Sequence, residues 1–308
     1  PDCRGGGERF VCQESSLCQM RQNPPTYLSD CRVLIVGLGL MGGSLALALK
    51  GKCKDIVGFD KDETTCEFAQ NHQLVSQAFS SFENLPAVDL IILAIPVGGI
   101  VRMLSEINRV IENPAVVLDI GSTKQVICQE MEKLAERFDP IGGHPMCGKE
   151  RLGIQNADAS IFVNAPFALV PLERTSEDAK NLVSQLVQSI GSQGIWIDAE
   201  IHDRWVAAVS HVPYLLASAL TLGTPIESSM LIGSGFRSSS RLAATSTTMM
   251  ADVLKTNRRQ ILQAMKKVEE EWKILYQLLE NEQDEPLINR LDQAALKLNT
   301  MLNSTGRQ

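Results

Sequence analysis

Apolar residues recur along the chain in two rhythms, and the change between them divides it. From Arg32 to Asp198, short β-branched runs alternate with amphipathic stretches. Arg32–Val36 reads as a buried parallel strand, followed at once by Gly37-Leu38-Gly39-Leu40-Met41-Gly42-Gly43 and a helical Ser44–Lys50. Further strands are predicted over Asp55–Phe59, Val88–Ile95 and Ala115–Ile120, with Leu74–Phe79 leading toward the second of these. Helices are predicted over Thr64–Asn71, Gly99–Ile111 and Lys124–Phe138. That alternation predicts an α/β Rossmann-type, doubly wound, mostly parallel sheet. Beyond Pro140, Ile141–Pro145 reads as a glycine-rich turn outside the sheet, then strand Phe167–Val170, helix Glu177–Ile190 and strand Ile195–Ile197. From Ala199 the pattern is helical only, over Glu200–Leu222, Ser228–Ile232, Thr247–Glu280 and Asp284–Asn303. The expected organisation is a poorly ordered leader over 1–29, an α/β domain over 30–198 and an all-α domain over 199–308.

The helical half has its own implication. Val206–Leu222 is apolar nearly all round, which a small peripheral bundle does not bury alone. A second copy of the chain solves this, predicting a homodimer through the C-terminal helices; cover by the first domain is the alternative. Pro213 deprives the Val209 carbonyl of its helical donor and predicts a kink.

Composition narrows the class. With 308 residues, 44% hydrophobic and 21% charged, the chain is long enough for two cores and excludes global disorder. A net charge of −7 argues against nucleic-acid or anionic-membrane binding. No uninterrupted apolar run is of spanning length, and the first residues lack a secretory pattern. The eight cysteines are scattered without a CxxC pair, which predicts a reducing, cytoplasmic setting. Cys3, Cys12 and Cys18 lack zinc spacing, and the histidines lack metal spacing with acids, so no metal is expected.

Gly37-x-Gly39-x-x-Gly42 after a strand and opening a helix is the context of a dinucleotide fingerprint. The first glycine permits the tight turn, the second admits the pyrophosphate and the third lets helix pack on strand. Leu38, Leu40 and Met41 share that turn. Asp60, ending the second strand, suits ribose hydroxyls and repels a 2′-phosphate, so NAD is expected over NADP. Pro96 and Ser122 follow strands at the same edge and join the expected cofactor set. His144, between Gly143 and Pro145, is a candidate proton acceptor for a substrate hydroxyl. Ser122 is a second catalytic candidate, or a cap for the helix at Lys124. His211 sits in an apolar helix beside the Pro213 kink, lining a cavity or satisfied within the core. His72 and His202 read as surface residues. Gly233–Arg241 reads as a flexible polar stretch in which Arg237 and Arg241, with Lys149 and Arg151, supply local positive charge for an anionic substrate.

These motifs, taken in order, resemble the prephenate/arogenate dehydrogenase family. The resemblance is carried by Gly37–Leu45, Gly121-Ser122-Thr123-Lys124, Gly142-Gly143-His144-Pro145-Met146-Cys147-Gly148, Ser210-His211-Val212-Pro213 and Gly235-Phe236-Arg237-x-x-x-Arg241. It implies oxidative decarboxylation of an anionic cyclohexadienyl alcohol, with hydride passing to the nicotinamide. It also implies His144 as acceptor for the C4 hydroxyl, Ser122 as its orienting partner, Arg241 as a carboxylate clamp, His211 across the pocket, and dimerisation through the helical domain. The chain departs from the family pattern at Ser238, where many relatives have Asp, at Lys149, where Thr is common, and at Tyr214, where a second His is common. Prephenate and arogenate both stay open as substrates, and no mutase or regulatory domain is expected after the helical half. Two other readings fit the first glycine motif: a β-hydroxyacid dehydrogenase, which would need a catalytic lysine in the second domain, and a non-catalytic NAD-binding sensor.

Overall fold

The computed structural model describes residues 24–149 and 151–304. Eight strands form one sheet in the order β3-β2-β1-β4-β5-β6-β7-β8, parallel except where β7 meets β6. The strands are β1 (Arg32–Val36), β2 (Asp55–Phe59), β3 (Gln77–Phe79), β4 (Leu90–Leu93), β5 (Ala115–Asp119), β6 (Phe138–Pro145), β7 (Pro166–Pro171) and β8 (Gln193–Trp196). Between them lie α1 (Leu40–Leu49), α2 (Glu63–Asn71), α3 (Val97–Val110), α4 (Gln125–Met131) and α5 (Glu177–Ser189). β1 lies between β2 and β4, so the chain reverses its winding direction there and opens a crevice at the carboxyl edge.

β1, β4 and β5 are apolar on successive residues because both faces are covered. Val33, Ile35, Leu90 and Ile92 pack toward α1 and α5, while Leu34, Val36, Ile91 and Leu93 pack toward α3 and α4.

Three predictions need correcting here. Ile141–Pro145 is no turn beyond the sheet: it is the end of β6, paired with β5 and β7. Gly143 stands in that strand because a Cβ there would come within 2.6 Å of the Asp119 carbonyl oxygen and 2.9 Å of Phe167. The helix expected to reach Phe138 stops at Met131, since Phe138 is needed by β6. Gly233–Arg241 is mostly helical rather than a flexible stretch.

The expectation of a disordered leader falls outside the described residues for 1–23. From Thr26 the chain is tied down: Gln185 Nε2 donates to the Thr26 carbonyl at 3.0 Å, and Leu28 N donates to Gln185 Oε1 at 3.1 Å.

After β8 the described residues carry only helices and connecting turns. These helices are α6 (Ala199–Val206), α7 (Val212–Gly223), α8 (Ser234–Ser240), α9 (Thr247–Thr256), α10 (Arg258–Glu280) and α11 (Asp284–Ser304). A π-helical turn, Ala207–His211, joins α6 to α7, and Pro213 is the second residue of α7, in the first turn where a missing N–H is tolerated. The extra residue of the π turn is how the chain accommodates the expected kink. Asn257 separates α9 from α10, which the sequence read as one helix.

By length and composition alone, Ala199–Gly223 would cross a membrane. Its first turns instead hold carboxylate and imidazole groups bonded into the α/β domain, as described below. Further along, Val209, Leu216, Leu220 and Leu222 are exposed.

Candidate active site

Besides α2, which Asp62 caps, three helices begin at the carboxyl edge of the parallel strands, and their N-termini are treated differently. The first belongs to α1. Gly37 turns the chain with φ +94°, and its amide donates to the Phe59 carbonyl at 2.7 Å. A Cβ on Gly42 would lie 1.8 Å from the Gly37 carbonyl oxygen, so this glycine is fixed by packing. Gly39, the N-cap, is different: a Cβ there would meet nothing within 4 Å, and no side chain caps α1. Helix N–H groups facing open space make a place for an anion. Asp60 Oδ2 accepts from Leu38 N at 2.8 Å, which ties the end of β2 to the turn. Leu40 and Met41 form the first turn of α1. This is the cradle a dinucleotide pyrophosphate needs, with a carboxylate beside it for the ribose.

α3 begins after Pro96, its N-cap. Gly98 N donates to Asp252 Oδ2 of α9 at 3.0 Å, so the helical half supplies the cap. α4 is filled more completely. Asp203 of α6 accepts from Lys124 N at 2.7 Å through Oδ1 and from Gln125 N at 2.9 Å through Oδ2. Ser122, expected as a possible cap, does not serve as one. It is half-buried in the β5–α4 loop and makes no hydrogen bond to His144 among the described residues.

Beneath this loop lies a fully buried pair. Lys124 Nζ donates to Asp119 and, at 2.5 Å, to the Gly143 carbonyl. Asp119 also accepts from Gly121 N and Gly143 N. Burial pushes the Asp119 carboxyl up, against the pull of the Lys124 ammonium. The pair fixes the β6 backbone at the residue before His144.

His144 is half-buried near the end of β6. Its Nδ1 lies 3.0 Å from His202 Nε2, and the two rings meet edge-on. His202 Nδ1 in turn lies 2.8 Å from Asp203 Oδ1. Burial, and then the charges that His202, Lys124 and His211 carry or acquire, hold the His144 imidazole well below its usual 6.5. It is therefore neutral and able to accept a proton at physiological pH.

β1 and β6 are three strand spacings apart, about 14 Å at roughly 4.8 Å each.

His202, read from sequence as a surface residue, is buried at 2% exposure. The correction has a simple cause: its partner His144 is distant in sequence, and the first turn of α6 docks on α4 rather than facing water. Asp203, Lys124, Asp252 and Asn257 were also missed. The usable signal was an adjacent His-Asp pair in a short helix that runs directly into an apolar one.

His211 is buried too, at 2% exposure, in the π turn. Asn257 Nδ2 lies 3.2 Å from its Nδ1 and donates to the Asp203 carbonyl at 2.7 Å. Burial lowers its pKa to about 4, with Asp203 opposing and His202 adding. This is the core-satisfied alternative, not a cavity wall.

The cationic candidates are spread over the surface. Lys149 Nζ is paired with Asp158 at 2.7 Å. Arg151 is exposed, as are Arg237 on α8 and Arg241, which opens the turn Arg241–Ala244 packed on α7.

Known proteins share this architecture. Residues 45–195 match the family described as "Prephenate dehydrogenase, nucleotide-binding domain", and residues 198–293 match "Prephenate dehydrogenase, dimerization domain". The prephenate dehydrogenase of Bacillus subtilis is 31% identical over 242 residues, 75% of this chain and 65% of that protein. The chain thus spans slightly under two thirds of that relative. The cyclohexadienyl dehydrogenase of Zymomonas mobilis is 26% identical over 244 residues, 75% of this chain and 82% of that protein. Among solved structures, prephenate dehydrogenase from A. aeolicus in complex with hydroxyphenyl propionate and NAD+ superposes with a TM-score of 0.82. It is 26% identical and covers 89% of this chain and 99% of that one. Synechocystis arogenate dehydrogenase gives 0.77 at 28% identity, covering 88% and 99%.

Proposed function

Because the chain belongs to the prephenate dehydrogenase family, we propose that it oxidises and decarboxylates prephenate or arogenate with NAD, as a cytoplasmic homodimer. Loss of the ring carboxylate aromatises the substrate, so the driving force is in the ligand and the protein's task is placement. NAD, when bound, supplies the hydride acceptor. The open N-terminus of α1 at Gly39 holds its pyrophosphate, and Asp60 takes the ribose and disfavours a 2′-phosphate. Pro96 and Ser122 border the same edge.

The observation that carries this reading is His144, with Nδ1 committed to His202 and Nε2 left for a ligand. Nε2 accepts a hydrogen bond from the C4 hydroxyl and draws its proton as the carbon–oxygen bond gains carbonyl character. The proton returns to that oxygen when carbon dioxide leaves and the ring becomes a phenol, so none is released overall. Ser122 borders the same hydroxyl. Arg241 grips a substrate carboxylate, with Arg237 one helical turn earlier adding positive potential. Lys149, already paired with Asp158, contributes less. The exposed apolar faces of α7, α10 and α11 pack against a second copy, in keeping with the family description of this half as a dimerization domain.

The test is NAD reduction measured side by side with prephenate, arogenate and 3-hydroxyacids. Turnover with carbon dioxide release is expected on at least one of the first two. In His144→Asn it falls by roughly 10²-fold or more, with NAD affinity kept. Turnover on 3-hydroxyacids alone overturns the assignment.

A further inference from the structure

Asp203 and His202 take no part in the proton movements described so far, yet they are buried at 0% and 2% exposure directly behind the proposed acceptor. Both carboxylate oxygens of Asp203 accept from the first amides of α4, and Oδ1 also meets His202 Nδ1. With both oxygens accepting from amides at the start of α4, Asp203 meets His202 as a hydrogen-bond acceptor. His202 must therefore carry its proton on Nδ1. In the neutral ring, Nε2 is then a lone pair, and among the described residues it meets His144 Nδ1 at 3.0 Å. His144 must in turn be protonated on Nδ1 and bare on Nε2. Free imidazole side chains favour the opposite form, so the chain imposes this state.

We propose that His202 and Asp203 are positioning residues that hold His144 in its Nδ1–H form and receive the proton it displaces. The inference rests on His144 being the hydroxyl acceptor. When the hydroxyl proton reaches His144 Nε2, the Nδ1 proton passes to His202 Nε2, and the resulting imidazolium lies against the Asp203 carboxylate. On return the same two protons move back, and the phenol oxygen recovers its own. One extra proton on the histidine pair thus converts His144 from acceptor to donor.

The charged and titratable groups around the pair are Asp203 on α6, Lys124 and Asp119 at the β5–α4 loop, and His211 in the π turn. Of these, only Asp203 contacts the pair directly. Asn257 buttresses it from α10's N-terminal boundary through the Asp203 carbonyl.

Long-range proton–nitrogen correlation spectra of the full-length protein, without substrate, read the tautomer. At neutral pH His144 is expected with a protonated Nδ1 and a bare Nε2; a protonated Nε2 in the wild-type protein overturns the proposal. Two variants of similar shape extend the test. His202→Met removes the acceptor, and kcat should fall roughly 10²-fold while KM for NAD stays unchanged. His202→Gln restores an acceptor for the His144 Nδ1 proton but takes up no proton itself, so it should recover only part of that loss, with an acid limb of kcat/KM that no longer matches the wild type. Equal kcat in the Met and Gln variants overturns the positioning role, and full recovery in Gln overturns the proton transfer. If a variant does not fold, the wild-type spectrum still decides. Absence of turnover on prephenate and arogenate would defeat the substrate assignment, whereas the spectrum tests the tautomer independently.

Discussion

The N-termini of α1 and α4 stand at the same edge of the same sheet, yet one is left open and the other is filled. At α1 the capping position is Gly39, with no side chain and nothing within 4 Å of where one would begin. At α4 the corresponding space is taken by Asp203, reaching from the helical half to occupy two amides at once. Both ends offer the same dipole and the same unpaired donors. What differs is whether the anion comes from the chain. An internal carboxylate makes a permanent clasp between the halves; an empty end keeps its donors for an anion that arrives and leaves.

The largest expected break of this contrast is Asp203→Ala. It strands one buried and one half-buried amide and the His202 Nδ1 proton, and should cost about 3 kcal/mol of unfolding free energy in urea. A midpoint within error of the wild type would mean the clasp carries no load.

Acid should act on the same closed end. The native pKa values of His144 and His211 lie below the unfolded value near 6.5, so the unfolded chain binds more protons in that window. Stability is therefore full above pH 6.5 and declines as pH falls toward about 4, where His211 titrates in the native state. For His211 alone the loss approaches about 3 kcal/mol. Unfolding curves at stepped pH check this, and a flat profile between pH 6.5 and 4 contradicts it.

Gly39→Ala sharpens the open end. Its backbone, φ −69° and ψ −156°, suits alanine and no neighbour is struck, so the melting temperature should hold. NAD affinity should weaken by about tenfold or more, roughly 1.4 kcal/mol, as the methyl fills space meant for the pyrophosphate. Calorimetric titration showing unaltered affinity would move the phosphate elsewhere. The smallest effect is expected from Asp252→Ala, which removes a single cap from α3 and should cost about 1 kcal/mol.

The contrast also separates what sequence could reveal from what it could not. Gly37, Gly39 and Gly42 were legible because strand, turn and helix are neighbours in the chain, and a local pattern states a local geometry. His144 was singled out as a candidate proton acceptor, and its surroundings were misread. Glycines at 142 and 143 signal a turn by local propensity, whereas here Gly143 answers a close approach by the Asp119 carbonyl and Phe167 across two different strands. His202 was invisible for the same reason, since a His-Asp pair at a helix start is usually solvated and only the docking of α6 on α4 removes it from water. His211 shows the converse: a proline-marked polar position suggested a cavity, and a π turn with Asn257 satisfied it inside the core.

Stabilising changes near a reaction centre commonly trade rate for rigidity, because the strained arrangement that works is relaxed. Asp203 escapes that bargain. In the proposed relay, the carboxylate that rivets the two halves also sets which nitrogen of His144 is bare, so weakening it is expected to lower durability and turnover together. Substitutions that tighten its grip should be neutral or beneficial on both counts, which makes the shell around this residue a favourable place to begin engineering a hardier enzyme.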